Sequence, residues 1–292
     1  RLSPVIKFTD DKKGLLESAT TRREGIIANL DLGVDILNEL GLKNETMIGR
    51  VLNNVEREDN IDYLAGQYEK MVSINNIRST VVNTFVGIVS ASWVIAMIAL
   101  LCKEKLPHKE KVFIVLKELI KLGLIMPLTL LLSPIFNFKT QSGLVLGVII
   151  TTAILYISGR LLFKDNDIKQ MGYYALLTIA LIVIDSVIGT YFMKNCIMSY
   201  DAIVGARYYG IGNEYEGVTI ASAVFALSVL LNYKKIPKWL TIVLSIIILI
   251  TSAFPSMGAN VGGAISECVA YLLFVMLIFD IKIDFKKIVI LG

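Results

Sequence analysis

After Thr80 the chain is almost entirely long apolar runs broken by short polar links, and about 20 apolar residues in a helix cross a bilayer core. Lipid offers backbone N–H and C=O groups no water, so such runs must satisfy their own hydrogen bonds as helices. The spacing predicts spans near 81–102, 120–137, 142–163, 171–192, 213–232, 239–255 and 259–279, with an eighth starting at Ile288. The expected fold class is mainly α, a polytopic membrane bundle of about seven spans preceded by a small α/β piece. The second run is irregular. Lys117, Glu118 and Lys121 precede Pro127 and Pro134, which reads as an interfacial amphipathic helix over 108–121 feeding a broken span.

The links orient this bundle. Those at 103–111, 160–170, 233–238 and 280–287 carry 4, 3, 3 and 3 Lys/Arg, whereas the alternate links hold Lys139, Lys194 and Arg207. Basic links favour the cytoplasmic side. The expected localisation is the cell membrane, multi-pass, with residues 1–79, the 193–212 loop and the Pro255–Gly258 turn together on the outer side.

Composition narrows the classes further. Hydrophobic residues are 55% of the chain, and the net charge of +4 is spread over short links instead of forming the contiguous patch that nucleic acid requires. Cys102, Cys196 and Cys268 lie far apart, odd in number and without Cys-x-x-Cys spacing, and His108 is the sole histidine. Neither a disulfide framework nor a zinc site is expected from them. The chain opens at Arg1 without Met or a signal peptide and closes as another apolar run begins, which reads as a segment of a longer protein.

Residues 4–8 and 25–29 read as short strands, and Asp31 to Leu40 as a helix ended by Gly41, with Leu32, Ile36, Leu37 and Leu40 as its buried stripe. Ile61, Leu64, Tyr68, Met71 and Ile74 recur at helical spacing in a connector. The expected division is 1–58 as the tail of an α/β domain, 59–80 as an amphipathic connector helix, and 81–292 as the bundle. A piece of this size is too small for a full α/β core and is expected to complete one begun upstream.

The segment LLESATTRREGIIANLDLGVDILNELGL, residues 15–42, resembles the last strand and helix of alkaline-phosphatase-superfamily domains of the sulfatase and phosphoglycerol-transferase type. The likeness covers about a tenth of the chain. In that family the Asp and His metal ligands and the Ser/Thr nucleophile lie mostly upstream of this tail. The resemblance therefore implies no catalytic residue and no cofactor here, and a divalent metal only in an upstream domain. Arg22 and Arg23 read first as pins of a strand–helix turn and second as contacts to an anionic substrate. The order DSVIGTYF, YDAIVGARYYGIGNEYEGV and GANVGGA also resembles the membrane region of bacterial proteins that fuse an alkaline-phosphatase-like ectodomain to a bundle of unassigned activity.

Polar residues crowd into Ser199–Val218. Gly212 and Asn213, with Glu216 three residues on, read as a helix start with a capping box. The same residues also read as a site. A helix amino terminus with Arg207 just before it suits a phosphate or carboxylate, while Glu214 and Glu216 suit a cation or proton instead. Tyr208, Tyr209 and Tyr215 read as an interfacial aromatic belt.

Deeper, Asp185 falls about 10 Å from the outer end of its span at the helical rise, and Glu267 near mid-bilayer. An ionised carboxylate there costs roughly 2.5–3.5 kcal/mol, so each should face the interior with a partner. For Glu267 a protonated helix–helix hydrogen bond is the structural alternative. Asn260 and Gly263 recur on roughly the Glu267 face, and Gly258, Gly262 and Ser266 form a small-residue ridge read as close helix packing. The expected substrate-binding set is Arg207, Asn213, Glu214, Glu216, Asp185 and Asn260, in an outward-facing pocket, with Glu267 as a buried acid.

Three functions compete. The first is the membrane part of a cell-envelope phosphoesterase or phospho-group transferase, its bundle anchoring the ectodomain and binding a lipid-linked or anionic substrate among membrane lipids. The second is an ion-coupled carrier or flippase for an envelope precursor, using Asp185, Glu214, Glu216 and Glu267. The third is a non-catalytic anchor, which needs neither seven spans nor buried acids.

Overall fold

Helix dominates, as the apolar runs require. The computed structural model describes residues 2–8, 13–136, 140–199, 202–205 and 207–281. The chain divides into two compact units, one of Arg1–Asn76 with Tyr200–Tyr209 and one of Ile77–Ser199 with Gly210–Gly292.

The first unit holds strands β1 (Leu15–Glu17) and β2 (Asn53–Val55), which pair antiparallel with Leu15 opposite Val55, and helix α1 (Asn29–Glu39). The expected strands at 4–8 and 25–29 do not form. Residues 4–8 carry no regular structure, leaving Ile6 and Phe8 exposed, and are tied down through Lys7 Nζ, 2.7 Å from Asp35 and 2.8 Å from Glu39. The hydrogen bonds to Asp35 and then Glu39 hold the Lys7 ammonium above its ordinary value. Ile26 makes an isolated bridge to Arg23 around Gly25, whose positive φ permits the tight turn.

Helix α1 forms where expected but buries the other face. Ile36 is 59% and Leu40 66% exposed, whereas Asp31, Val34 and Asp35 point inward. The reason is Asp31. It accepts from Ser18 Oγ at 2.6 Å, Thr20 Oγ1 at 2.7 Å, Arg50 N at 2.9 Å and Ala28 N at 3.2 Å, so one carboxylate ties the β1 turn, the helix start and the return strand. Burial pushes this carboxyl up, but the donors from Ser18, Arg50, Thr20 and Ala28 outweigh it and hold Asp31 below its ordinary value. Arg23 Nε donates to Tyr208 O at 2.8 Å, and the Arg22 guanidinium lies 4.4 Å from the Tyr209 ring centre. Both arginines are thus engaged within the unit.

Helix α2 (Asn60–Leu101) runs unbroken for 42 residues, so the connector and the first apolar run are one helix. Ile61 and Tyr68, on the apolar face of that connector, are exposed. After it come α3 (Lys109–Leu131), α4 (Gln141–Phe163), α5 (Asp167–Val187), α6 (Tyr191–Asn195), α7 (Asn213–Val229), α8 (Lys238–Ala253) and α9 (Val261–Ile278). Among the described residues, five helices are long and apolar enough to cross a membrane: α2, α4, α5, α9, and α7 with its π-helical extension to Lys234. Helix α8 is apolar but only 16 residues long, and α3 carries six charged residues within its first 13. The eighth run at Ile288, Lys139 and most of the 280–287 link lie outside the described residues.

The second run is not broken at Pro127. Helix α3 continues through it and ends in a 3₁₀ turn, Ser133–Ile135, at Pro134. Tyr215 Oη donates to the Pro127 carbonyl at 3.1 Å, and Tyr215 is fully buried instead of joining an aromatic belt. It lies in a core with Leu130, Ile182, Met193, Cys196 and Ile211. Helix α5 is central, packing on α3, α4, α7 and α8, while α9 packs on α8 and α7. Side-chain caps begin three of the helices: Thr140 accepts from Gly143 N, Asn166 from Lys169 N, and Asn260 from Gly263 N.

Candidate functional site

Helix α7 starts one residue earlier than a cap at Asn213 requires. Gly212 is the N-cap, Asn213 the first helical residue, and Glu216 falls beyond the capping-box position. Released from a capping role, Glu216 turns toward α9, where Asn260 Nδ2 donates to its Oε2 at 3.0 Å. Asn260 Oδ1 meanwhile accepts from Gly263 N at 3.0 Å, so one side chain both starts α9 and holds an acid of α7.

Glu267 sits on α9 with no exposure, accepting from Ser252 Oγ of α8 at 2.8 Å. The Glu216 carboxyl packs against Gly263, one turn before Glu267 on the same helix, and acts on the Glu267 carboxyl. Gly263 makes the approach feasible, because a Cβ there would collide with the Glu216 carboxyl. One turn beyond Glu267, Tyr271 is buried and feels both acids. Among the described residues, neither Glu267 Oε2 nor the Tyr271 hydroxyl has a hydrogen-bond partner. Of the small-residue ridge expected to pack, Gly258 is buried in close backbone contact, but Gly262 and Ser266 are exposed, and the approach of α7 falls on the Gly263–Glu267 face.

Two of the other expected site residues, Glu214 and Asp185, make contacts of their own. Glu214 Oε1 pairs with Arg78 of α2 at 2.8 Å, and Arg78 Nε also donates to the Ser199 carbonyl. Asp185 is fully buried and accepts from Phe192 N and Met193 N, both at 2.8 Å. Its partner is the amino terminus of α6, and its job there is to turn the chain after α5. Arg207 belongs to the first unit, while Glu214, Glu216, Asp185 and Asn260 belong to the second. Of the seven residues picked from sequence, Glu216, Asn260 and Glu267 come together. Arg78, Ser252 and Tyr271 were missed. Tyr271 had a readable signal, its four-residue spacing from Glu267; Ser252 and Arg78 had none.

A second polar cluster joins α3, α4 and α5. Lys121 is fully buried, its Nζ 2.9 Å from Glu118 Oε1 and 2.6 Å from Asp167 Oδ1. Lys117 reaches Asp167 Oδ2 at 2.7 Å, and Tyr156 Oη donates to Glu118 Oε2 at 2.7 Å. Lys121 is thus an interior fastener of a helix bundle, with Glu118 half-buried beside it and Lys117 closing the cluster at an exposed edge, so the three do not form the polar face of an interfacial helix.

Among the described residues no group of three or more His, Cys, Asp and Glu is placed to hold a metal ion. Comparison with family models, with curated proteins and with solved structures finds no match to this chain.

Proposed function

We propose that the chain is the membrane-embedded part of a cell-envelope protein and that its bundle is an ion-coupled carrier or flippase for an envelope precursor. One observation carries this reading: Glu267, without exposure, lies against a second acid, Glu216, on a neighbouring helix. Acids inside a membrane segment are costly, and anchoring has no use for two in contact. In this reading seven helices span the membrane, the Lys/Arg-rich links face the cytoplasm and residues 1–79 lie outside. The substrate class is a lipid-linked or anionic precursor.

The test is purified protein in proteoliposomes containing a fluorescently labelled lipid-linked phosphate, under an imposed pH or sodium gradient. Gradient-dependent movement of the label between leaflets that Glu267→Gln abolishes supports the carrier. Equal rates for wild type, Glu216→Gln and Glu267→Gln end it.

A second reading, phosphoesterase or phospho-group transferase chemistry in an upstream metal-dependent domain, draws support from the likeness of residues 15–42. It predicts metal-dependent phosphoester hydrolysis or transfer by the full-length protein that falls when the bundle is removed.

A further inference from the structure

We propose that Glu267 is a proton-binding site, holding a proton shared with the Glu216 carboxyl, with the Tyr271 hydroxyl as its third partner. This deepens the carrier reading by naming its coupling ion, and rests on that reading only for the coupling.

Geometry supplies the case. Two carboxyl groups from different helices meet in the interior of the bundle, and Gly263 gives up its side-chain volume to let them. Like charges in contact cannot both ionise cheaply away from water, so such a pair retains a proton between them. The charged group that acts on Glu267 is Glu216. From α8 the contact is the neutral Ser252, and from its own helix the titratable neighbour is Tyr271. Asp185, the acid of α5, is committed to the Phe192 and Met193 amides.

Tyr271 is an independent pointer. A buried phenol without a partner is unfavourable, yet this hydroxyl is buried without one, one turn of α9 beyond Glu267, whose Oε2 also has none. A carboxyl that alternates between protonated and ionised forms uses both. When protonated, Oε2 and Glu216 share the hydrogen. When the proton leaves to water, the carboxylate accepts from Tyr271. No atom other than the proton is exchanged, and the site changes by one unit of charge.

A proton fits this shell better than a metal ion. Metal ions such as calcium or magnesium need several oxygen lone pairs pointing inward. Here the neutral neighbours present hydrogens: Ser252 donates to Glu267 and Asn260 Nδ2 donates to Glu216. The Asn260 oxygen, the natural cation ligand, is spent on Gly263 N. The amino terminus of α9, starting at Val261, adds partial positive charge nearby.

The test is infrared difference spectroscopy of the purified full chain in lipid across a pH titration, with sodium, potassium and calcium arms at fixed pH. The expected result is a protonated-carboxyl C=O band in wild type at neutral pH that disappears reversibly at high pH. Glu267→Gln removes it, and Tyr271→Phe shifts its frequency without removing it. Absence of a pH-dependent band in wild type overturns the proposal, and needs no variant to fold. Loss of the band on adding a metal ion at fixed pH overturns it too, in favour of a cation site. A Glu267-dependent band without lipid movement supports the proton site and ends the carrier reading; proton-driven movement without the band does the reverse.

Discussion

The bundle contains two buried polar clusters built on opposite principles. Around Lys121, opposite charges pair: Lys117 and Lys121 meet Glu118 and Asp167, Arg160 lies 3.7 Å from Glu118, and Tyr156 satisfies a remaining oxygen. Around Glu267, two acids meet each other and the neutral groups Ser252, Asn260 and Tyr271. A charge-paired cluster is finished; removing the buried Lys121 takes one partner from each carboxylate. An acid pair changes its charge with the protons it binds. The first kind of cluster fastens helices, whereas the second can respond to its surroundings.

The largest effect should come from breaking the charge-paired cluster. Lys121→Met leaves Glu118 and Asp167 facing a buried gap, and should cost about 3–5 kcal/mol, read from unfolding of the protein in detergent. Adding Glu118→Gln and Asp167→Asn should recover much of the loss. A Lys121→Met protein as stable as wild type would remove the contrast.

Next is Gly263→Val, which forces a side chain into the space of the Glu216 carboxyl. Overpacking of this sort costs about 1–3 kcal/mol, and separation of the two acids should abolish any Glu267-dependent activity in the same protein. By contrast, Glu267→Gln should change unfolding stability by less than about 1 kcal/mol, since the amide oxygen still accepts from Ser252. If it destabilises as much as Lys121→Met, the acid pair is a fastener after all.

Asp31 supplies the smallest and cleanest control, an acid outside the bundle satisfied wholly by donors. Its folded-state value lies below the ordinary 3.8, so it contributes stability above that value. The contribution is lost as pH falls through the lower, folded value. Following the Arg50 amide resonance during acidification should show the loss in wild type and not in Asp31→Asn.

Much of this was readable from residue order, and the unread part has a common cause. The helical runs over 142–163, 239–255 and 259–279 lie close to α4, α8 and α9, because a long apolar run between polar links leaves a backbone few other choices. The interior placement of Asp185 and Glu267 followed from the cost of exposing an acid to lipid. The face of α1 was misread because apolar periodicity ranks Ile36 and Leu40 above Asp31, and the donors that bury Asp31 come from residues 18, 20 and 50. Pro127 suggested a break because a proline removes one hydrogen bond, but the packed core around α3 holds the helix straight through it.

The sequence by itself determined a helical, apolar chain with acids that must hide, since hydropathy and backbone hydrogen bonding are properties of short stretches. Tertiary structure alone decided that Asp185 would cap α6, that Glu214 would meet Arg78, and that Glu216 would meet Asn260 and Glu267 across α7 and α9. Pairing between distant residues depends on which helix faces pack together, and that is settled by the sum of all contacts at once.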